Sequence, residues 1–188
     1  MILHPASRSR RLGFLAMGSN DRLASALGRH LDDGYHWFRS IGPGGIPVID
    51  AIVVGPGGTW TLTLSGERGR FARRNGHWYR WNTSTESWVP WDATPITAAR
   101  LAGRRLSLYL ERAAMPSAVD PILVPPADMD VILEPRDGFG LAVESDIAKL
   151  ADLMSREDRL SPAQVDRIVA LLDPRQALPR LAQATPNG

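Results

Sequence analysis

The pattern of apolar and polar positions predicts helices and short strands alternating along the chain. Leucines recur at spacings of three and four between residues 20 and 33, which indicates a helix with Asn20 or Asp21 as its N-cap. From residue 35 onward, β-branched and aromatic residues fall in short alternating runs separated by glycine-rich turns. The runs predict strands over residues 35–41, 46–54, 59–65, 70–73 and 77–81, with a short extended piece over 87–91.

In the second half, Thr94 and Pro95 have the residue types of an N-cap and a first helical position, and they open a helix that runs to about Arg112. Short hydrophobic runs then predict strands, and two further apolar periodicities predict helices, the last capped by Ser161. These strands cover residues 119–125, 129–133 and 139–143, and the helices cover 144–154 and 162–172.

This order of elements predicts an α/β fold in which a mixed sheet with an antiparallel hairpin core is flanked by helices on both faces. We expect residues 1–18 to be a disordered basic lead-in and residues 19–143 to form the domain. Residues 144–172 are then C-terminal helices packed on it, and 173–188 form a flexible tail.

Composition excludes several kinds of site. The chain has no cysteine, which rules out disulfides, thiolate metal sites and a cysteine nucleophile, and which fits a cytoplasmic protein. No apolar run approaches the roughly 20 residues that span a bilayer, so we expect no membrane partner. The four histidines lack metal-ligand spacing, and the two GPGG turns lack the lysine of a phosphate-binding loop.

Basic residues are almost all arginine and are unevenly spread. Of the 22 basic residues, 21 are arginine, and five of them lie between residues 66 and 81 among aromatic residues. Arginine grips phosphate and aromatic rings stack on bases, so one interpretation is a nucleic-acid interface on this hairpin. The other is an exposed hairpin with outward arginines and aromatics packed on the sheet. The cluster comprises Arg68, Arg70, Arg73, Arg74 and Arg80, with Trp78, Tyr79 and Trp81 interleaved.

The run IDAIVVGPGGTW, residues 49–60, resembles the signature of the NERD (nuclease-related) domain family, a branch of the restriction-endonuclease-like superfamily. The runs SGERGRFARRNGHWYRW, ATPITAARLAGRRLSLYL and LSPAQVDRIVALL are similar to later segments of that family. The resemblance covers about residues 19–172. It implies a metal-dependent nuclease fold whose cutting site combines an aspartate on one strand with Glu-x-Lys on the next.

The resemblance also implies which positions would form the cutting site. Asp50 matches the family aspartate, whereas Thr63 stands at the glutamate position and Ser65 at the lysine position. The family's next histidine corresponds to Ala51 and its helix glutamine to Ala98. A glutamate near the first helix corresponds to Asn20 or Asp21. Magnesium prefers charged oxygen ligands, so the resemblance implies a degenerate site in which catalysis is lost.

Three functions remain open at this point. The first is a non-cleaving, NERD-like pseudoenzyme that binds nucleic acid through the Arg/Trp hairpin or binds a protein partner. The second is an active Mg²⁺-dependent DNase that uses Asp50 and a displaced carboxylate, Glu67, provided that the second strand extends that far. The third is a purely structural or interaction domain, in which Asp50 is a buried remnant hydrogen-bonded to a backbone amide. No cofactor is expected, except Mg²⁺ under the second.

Overall fold

The computed structural model describes residues 1–4, 14–132 and 141–173, with the backbone alone for residues 14–20. Within these ranges the chain forms ten strands and four helices. The strands are β1 (Ile2–His4), β2 (His36–Ile41), β3 (Ile49–Gly55), β4 (Gly58–Leu64), β5 (Gly69–Arg74), β6 (His77–Asn82), β7 (Ser87–Pro90), β8 (Val119–Val124), β9 (Met129–Ile132) and β10 (Ala142–Val143). The helices are α1 (Phe14–Leu27), α2 (Thr94–Arg112), α3 (Ile147–Ser155) and α4 (Pro162–Leu172).

The larger sheet is mixed and has six strands in the order β1-β2-β3-β4-β8-β10. Strands β2, β3 and β4 form an antiparallel meander, in which Val53 lies opposite Trp60 and Gly55 lies opposite Gly58. Strand β8 then runs parallel to β4, because the chain returns through α2 before it rejoins the sheet. The predicted mixed sheet with an antiparallel hairpin core is confirmed.

Helices cover both faces of this sheet, as the sequence predicted. Because side chains alternate along a strand, Val53 and Trp60 pack with α1 and α3 on one face. On the opposite face, Ile52 and Val54 pack with α2 and α4. Both C-terminal helices therefore contribute to the core, one on each side of the sheet.

A second, four-stranded sheet has the order β7-β6-β5-β9. The turn between β5 and β6 is the predicted hairpin, with positive φ angles at Asn75 (50°) and Gly76 (80°), as a type I′ turn requires. Strand β9 joins the other edge of β5 in parallel, with Arg70 opposite Asp130. The sequence predicted each of these strands but not their separation from the main sheet.

The predicted disordered lead-in over residues 1–18 is wrong at both ends. Residues Ile2–His4 form an edge strand parallel to β2, and α1 already begins at Phe14, six residues before the predicted start. Residues 5–13 lie outside the described residues. A three-residue strand has no periodicity of its own, so only its pairing with β2 identifies it.

Other boundaries differ locally from the predictions. Helix α1 ends at Leu27 rather than near residue 33, and β3 begins at Ile49 rather than at residue 46. A 3-10 turn at Pro43–Gly45 lies between β2 and β3. The N-cap of α2 is Ala93, with φ of 54°, and Thr94 is the first helical residue. The Ser161 cap of α4 is confirmed. Residues 139–140 and the tail beyond Asp173 lie outside the described residues.

Among the described helices, none has the length and apolar character that crossing a membrane requires.

Candidate site around Asp50 and the arginine-rich sheet

The turn between β3 and β4 is fixed from outside by the segment that joins α3 to α4. The backbone N–H groups of Arg159 and Leu160 both donate to the Pro56 carbonyl, at 2.8 and 2.9 Å. The Arg159 side chain donates to the Gly57 carbonyl and to Asp120, and it lies over the Trp60 ring. This contact set fixes the hairpin on which Asp50 and Thr63 are placed.

Asp50 is bound to the backbone of the neighbouring strand. The β3–β4 pairing ends with Ala51 opposite Leu62. Beyond this pair, the Asp50 carboxylate accepts a hydrogen bond from the Leu64 N–H at 2.9 Å. Burial raises the pKa of the Asp50 carboxyl above its ordinary value, and the Leu64 hydrogen bond opposes that rise. Burial therefore makes the charged carboxylate that a metal ligand needs less favourable at Asp50 than at an exposed aspartate.

The two positions aligned with Glu-x-Lys lie at the end of β4. Thr63 is half-buried opposite Leu123 of β8. We predicted Ser65 on the strand, but β4 ends at Leu64, and Ser65 continues only the pairing with β8, through its N–H to the Val124 carbonyl at 3.0 Å. The Ser65 hydroxyl then accepts from the Glu67 N–H in a local turn.

The condition for Glu67 to replace the missing acid is not met. Strand alternation would place Glu67 on the Asp50 side only if β4 extended to residue 67, and β4 ends three residues earlier. Glu67 belongs instead to the turn that leads into β5. The strand pairing therefore does not place Glu67 beside Asp50 as the alternative site requires.

The remaining positions of the aligned signature lie in ordinary structural surroundings. Asp21 forms an ion pair with Arg39 of β2. Ala51 is fully buried in the core on the α1 side. Ala98 is exposed on the outer side of α2, where it faces away from the sheet. Within residues 1–4, 14–132 and 141–173, no group of three or more acidic or histidine side chains could hold a metal ion.

The sequence-predicted arginine cluster is spread over β5, β6 and the preceding turn, and most of its members have partners. Arg68 forms an ion pair with Asp128, just before β9, at 3.3 Å, and Arg70 forms one with Asp130 of β9 at 3.6 Å. Arg80 lies over the Phe71 ring at 5.9 Å, and Arg73 is half-buried opposite Trp78. Acids that the sequence places some sixty residues away thus offset part of the positive charge.

Aromatic side chains are divided between the two faces of the second sheet. Trp78 and Phe71 pack inward on Trp91, at ring distances of 5.9 and 4.3 Å. Alternation along β6 places Tyr79 and Trp81 on the opposite face, where Trp81 meets Trp88 edge-on at 5.3 Å and Arg74 lies 4.9 Å over the Trp88 ring. We call Tyr79, Trp81, Trp88 and Arg74 the aromatic face; its three rings are half-buried.

Sequence reasoning missed two sets of residues that shape these sites. Arg159 fixes the β3–β4 turn, yet nothing in its local sequence signals that role. Asp128 and Asp130 pair with the hairpin arginines, and here a signal existed, because residues 120–152 carry eight acids against two basic residues. The complementary charges of the two segments predict an attraction between them.

Comparisons with known proteins assign no family. No family model and no curated protein matches the chain. Among solved structures, a repair endonuclease from Pyrococcus abyssi is similar at 14% sequence identity and a TM-score of 0.39, over 74% of this chain and 49% of that one. The chain thus spans about half the length of that endonuclease, and a likeness of this size transfers neither an active site nor a substrate.

Proposed function

We propose that this chain is a nuclease-related domain of the NERD type that binds nucleic acid without cleaving it. The observation that carries the proposal is the hydrogen bond from the Leu64 N–H to Asp50, the one acid at the aligned cutting position. The other two positions aligned with the cutting site are Thr63 and Ser65, which offer neutral hydroxyls. This donor set does not fit Mg²⁺, which requires charged oxygen ligands to offset its dehydration.

Loss of cleavage follows from the charges that such a reaction needs. Cutting a phosphodiester requires charge stabilisation on the phosphate and an activated water, which a metal and a lysine supply in the family. Each lost charged group raises the barrier by several kcal/mol, on the order of 10³-fold in rate. With two such groups absent, at Thr63 and Ser65, the proposal is that the chain binds nucleic acid and does not cut it.

The aromatic face supports binding to single-stranded nucleic acid. It presents the rings of Tyr79, Trp81 and Trp88 on one face of the antiparallel strands β6 and β7, with the Arg74 guanidinium over the Trp88 ring. Bases of any sequence stack on such rings, at about 1–3 kcal/mol per base. A protein partner docked on the same rings is the competing explanation, and the following experiment distinguishes the two.

The test is fluorescence-anisotropy binding of a labelled 20-nucleotide DNA strand to the full chain and to two variants of Trp88. Trp88→Leu removes the stacking ring and keeps an apolar side chain, whereas Trp88→Phe keeps a ring. We expect the leucine variant to bind roughly 5- to 150-fold more weakly and the phenylalanine variant to retain most of the affinity. Far-UV circular dichroism melts confirm that both variants fold.

Absence of binding to single strands and duplexes alike by the unchanged protein would overturn the nucleic-acid proposal and favour a protein partner. Equal binding by both variants would leave nucleic-acid binding in place but remove the aromatic face as its surface.

A further inference from the structure

The outer side of α2 carries a second basic surface, outside the predicted hairpin cluster. The helix buries one apolar stripe against β4 and β8, formed by Ile96, Ala99, Ala102, Gly103, Leu106 and Leu110. Four arginines are exposed on the rest of its circumference, and the helix contains a single acid, Glu111. We call these four residues, Arg100, Arg104, Arg105 and Arg112, the basic face of α2.

The basic face differs from the hairpin cluster in its partners. Hairpin residues Arg68 and Arg70 are ion-paired, so a phosphate would have to compete with a carboxylate for each of them. On α2, Arg104, Arg105 and Arg112 form no ion pair with any residue in the described part of the chain. Their charge is therefore available to an external anion at no such cost.

A groove lies along this helix and gives the arginines a place to hold an anion. It has a volume of about 490 Å³ and is bounded by α2 and the start of β8; its lining is formed by Thr97, Arg100, Leu101, Arg104 and Pro121. Arg100 and Arg104 are one helical turn apart on its wall, about 6 Å along the axis. Guanidinium groups bind phosphate oxygens through two parallel hydrogen bonds, which suits a repeating phosphate chain.

We infer that the basic face of α2 binds the phosphodiester backbone of a nucleic acid. This inference rests on the proposed function and refines it, because it assigns the phosphate contacts to the outer side of α2. Arg104 and Arg112 lie about 12 Å apart along the axis, so the face is long enough to contact several phosphates of one strand. The source of the backbone is a duplex or a single strand, and the two are separate arms of the test.

The test compares two double variants of equal net charge. Arg104→Ala/Arg105→Ala removes two arginines from the basic face. Arg22→Ala/Arg29→Ala removes two exposed arginines from α1 and the turn after it, on the opposite face of the main sheet. Alanine is the best helix former, so the α2 variant should fold as well as the unchanged protein. Binding of a 20-base-pair duplex and of the matching single strand is measured across a series of salt concentrations.

We expect the slope of log affinity against log salt to become shallower only in the α2 variant, by about 0.9 per lost contact on the duplex or about 0.7 on the single strand. Two lost contacts make that change roughly 1.8 or 1.4. The control variant should keep the slope of the unchanged protein.

Three results would overturn the inference. Equal shallowing in both variants would show an effect of net charge alone. An unchanged slope in the α2 variant, with binding intact, would remove α2 as the phosphate surface and leave the proposed function standing. Failure of the unchanged protein to bind either probe would remove both.

Discussion

Asp50 allows a direct test of whether the aligned aspartate now has a structural role. The Leu64 N–H donates to its carboxylate at 2.9 Å, and burial raises the pKa of the carboxyl. Asp50→Ala removes the acceptor and leaves a backbone donor unpaired, which costs about 1–3 kcal/mol. In a domain of this size that loss lowers the melting temperature by roughly 2–12 °C. Asp50→Asn keeps an oxygen acceptor in nearly the same place and should avoid the loss.

The pH dependence follows from the direction of the pKa shift. Because the folded pKa of Asp50 lies above its ordinary value of 3.8, the folded state holds the proton more tightly than the unfolded state does. The stabilisation from the protonated carboxyl is complete below the unfolded pKa and is lost as the pH rises through the folded pKa. We therefore expect Asp50→Asn to match the unchanged protein in acid and to equal or exceed its unfolding free energy at pH 7.

The assay is urea unfolding of the three proteins from acid to neutral pH, with and without Mg²⁺. An asparagine variant as unstable as the alanine variant at pH 7 would refute the structural role. So would stabilisation of the unchanged protein by Mg²⁺ that the asparagine variant lacks, since ligand binding to the folded state raises its stability.

Four further predictions address packing and chemistry. Thr61→Val should raise the unfolding free energy by about 1 kcal/mol, because the buried Thr61 hydroxyl has no hydrogen-bond partner within the described ranges; Thr63→Val, at a half-buried position, is the control. Gly57→Ala should cost at least about 3 kcal/mol, since its Cβ would lie 1.8 Å from the Met154 carbonyl oxygen, whereas Gly66→Ala meets nothing within 4 Å and should be neutral in thermal melts. Neither plasmid nor single-stranded DNA should be cut with Mg²⁺ or Mn²⁺, and cutting that disappears in Asp50→Ala would contradict this. Thr63→Glu/Ser65→Lys should lower stability by about 1–3 kcal/mol at these half-buried positions, and a melting temperature that rises with Mg²⁺ would show a restored metal site.

Local pattern predicted the elements that carry their own signal. Helix α2 has an apolar stripe at helical spacing and a proline near its start, so its end at Arg112 was predicted correctly and its start to within one residue. The β5–β6 hairpin was predicted from Asn75 and Gly76. Strand β1 was missed, because its three residues are defined only by pairing with a strand some thirty residues away.

The second sheet shows why charge could not be interpreted one segment at a time. The arginines of residues 66–81 suggest a free phosphate-binding surface when considered alone. Parallel pairing of β5 with β9 places Asp130 beside Arg70 and Asp128 near Arg68, so the cluster is partly neutralised. That pairing joins residues sixty positions apart, and no local periodicity in the sequence predicts it. The arginines of α2 were not recognised as a surface from the sequence, since they are spaced along a helix rather than clustered.

The signature that suggested a nuclease has packing roles in this fold that do not depend on cutting. Gly57 leaves room for the Met154 carbonyl, Pro56 accepts two backbone hydrogen bonds from the segment before α4, and Asp50 satisfies the Leu64 N–H. Each of these structural roles is independent of metal binding. At the positions where only the metal chemistry needs a charge, the chain has Thr63 and Ser65. The run IDAIVVGPGG is therefore explained by the stability of the hairpin and says nothing about cleavage, which must be tested at Asp50, Thr63 and Ser65 themselves.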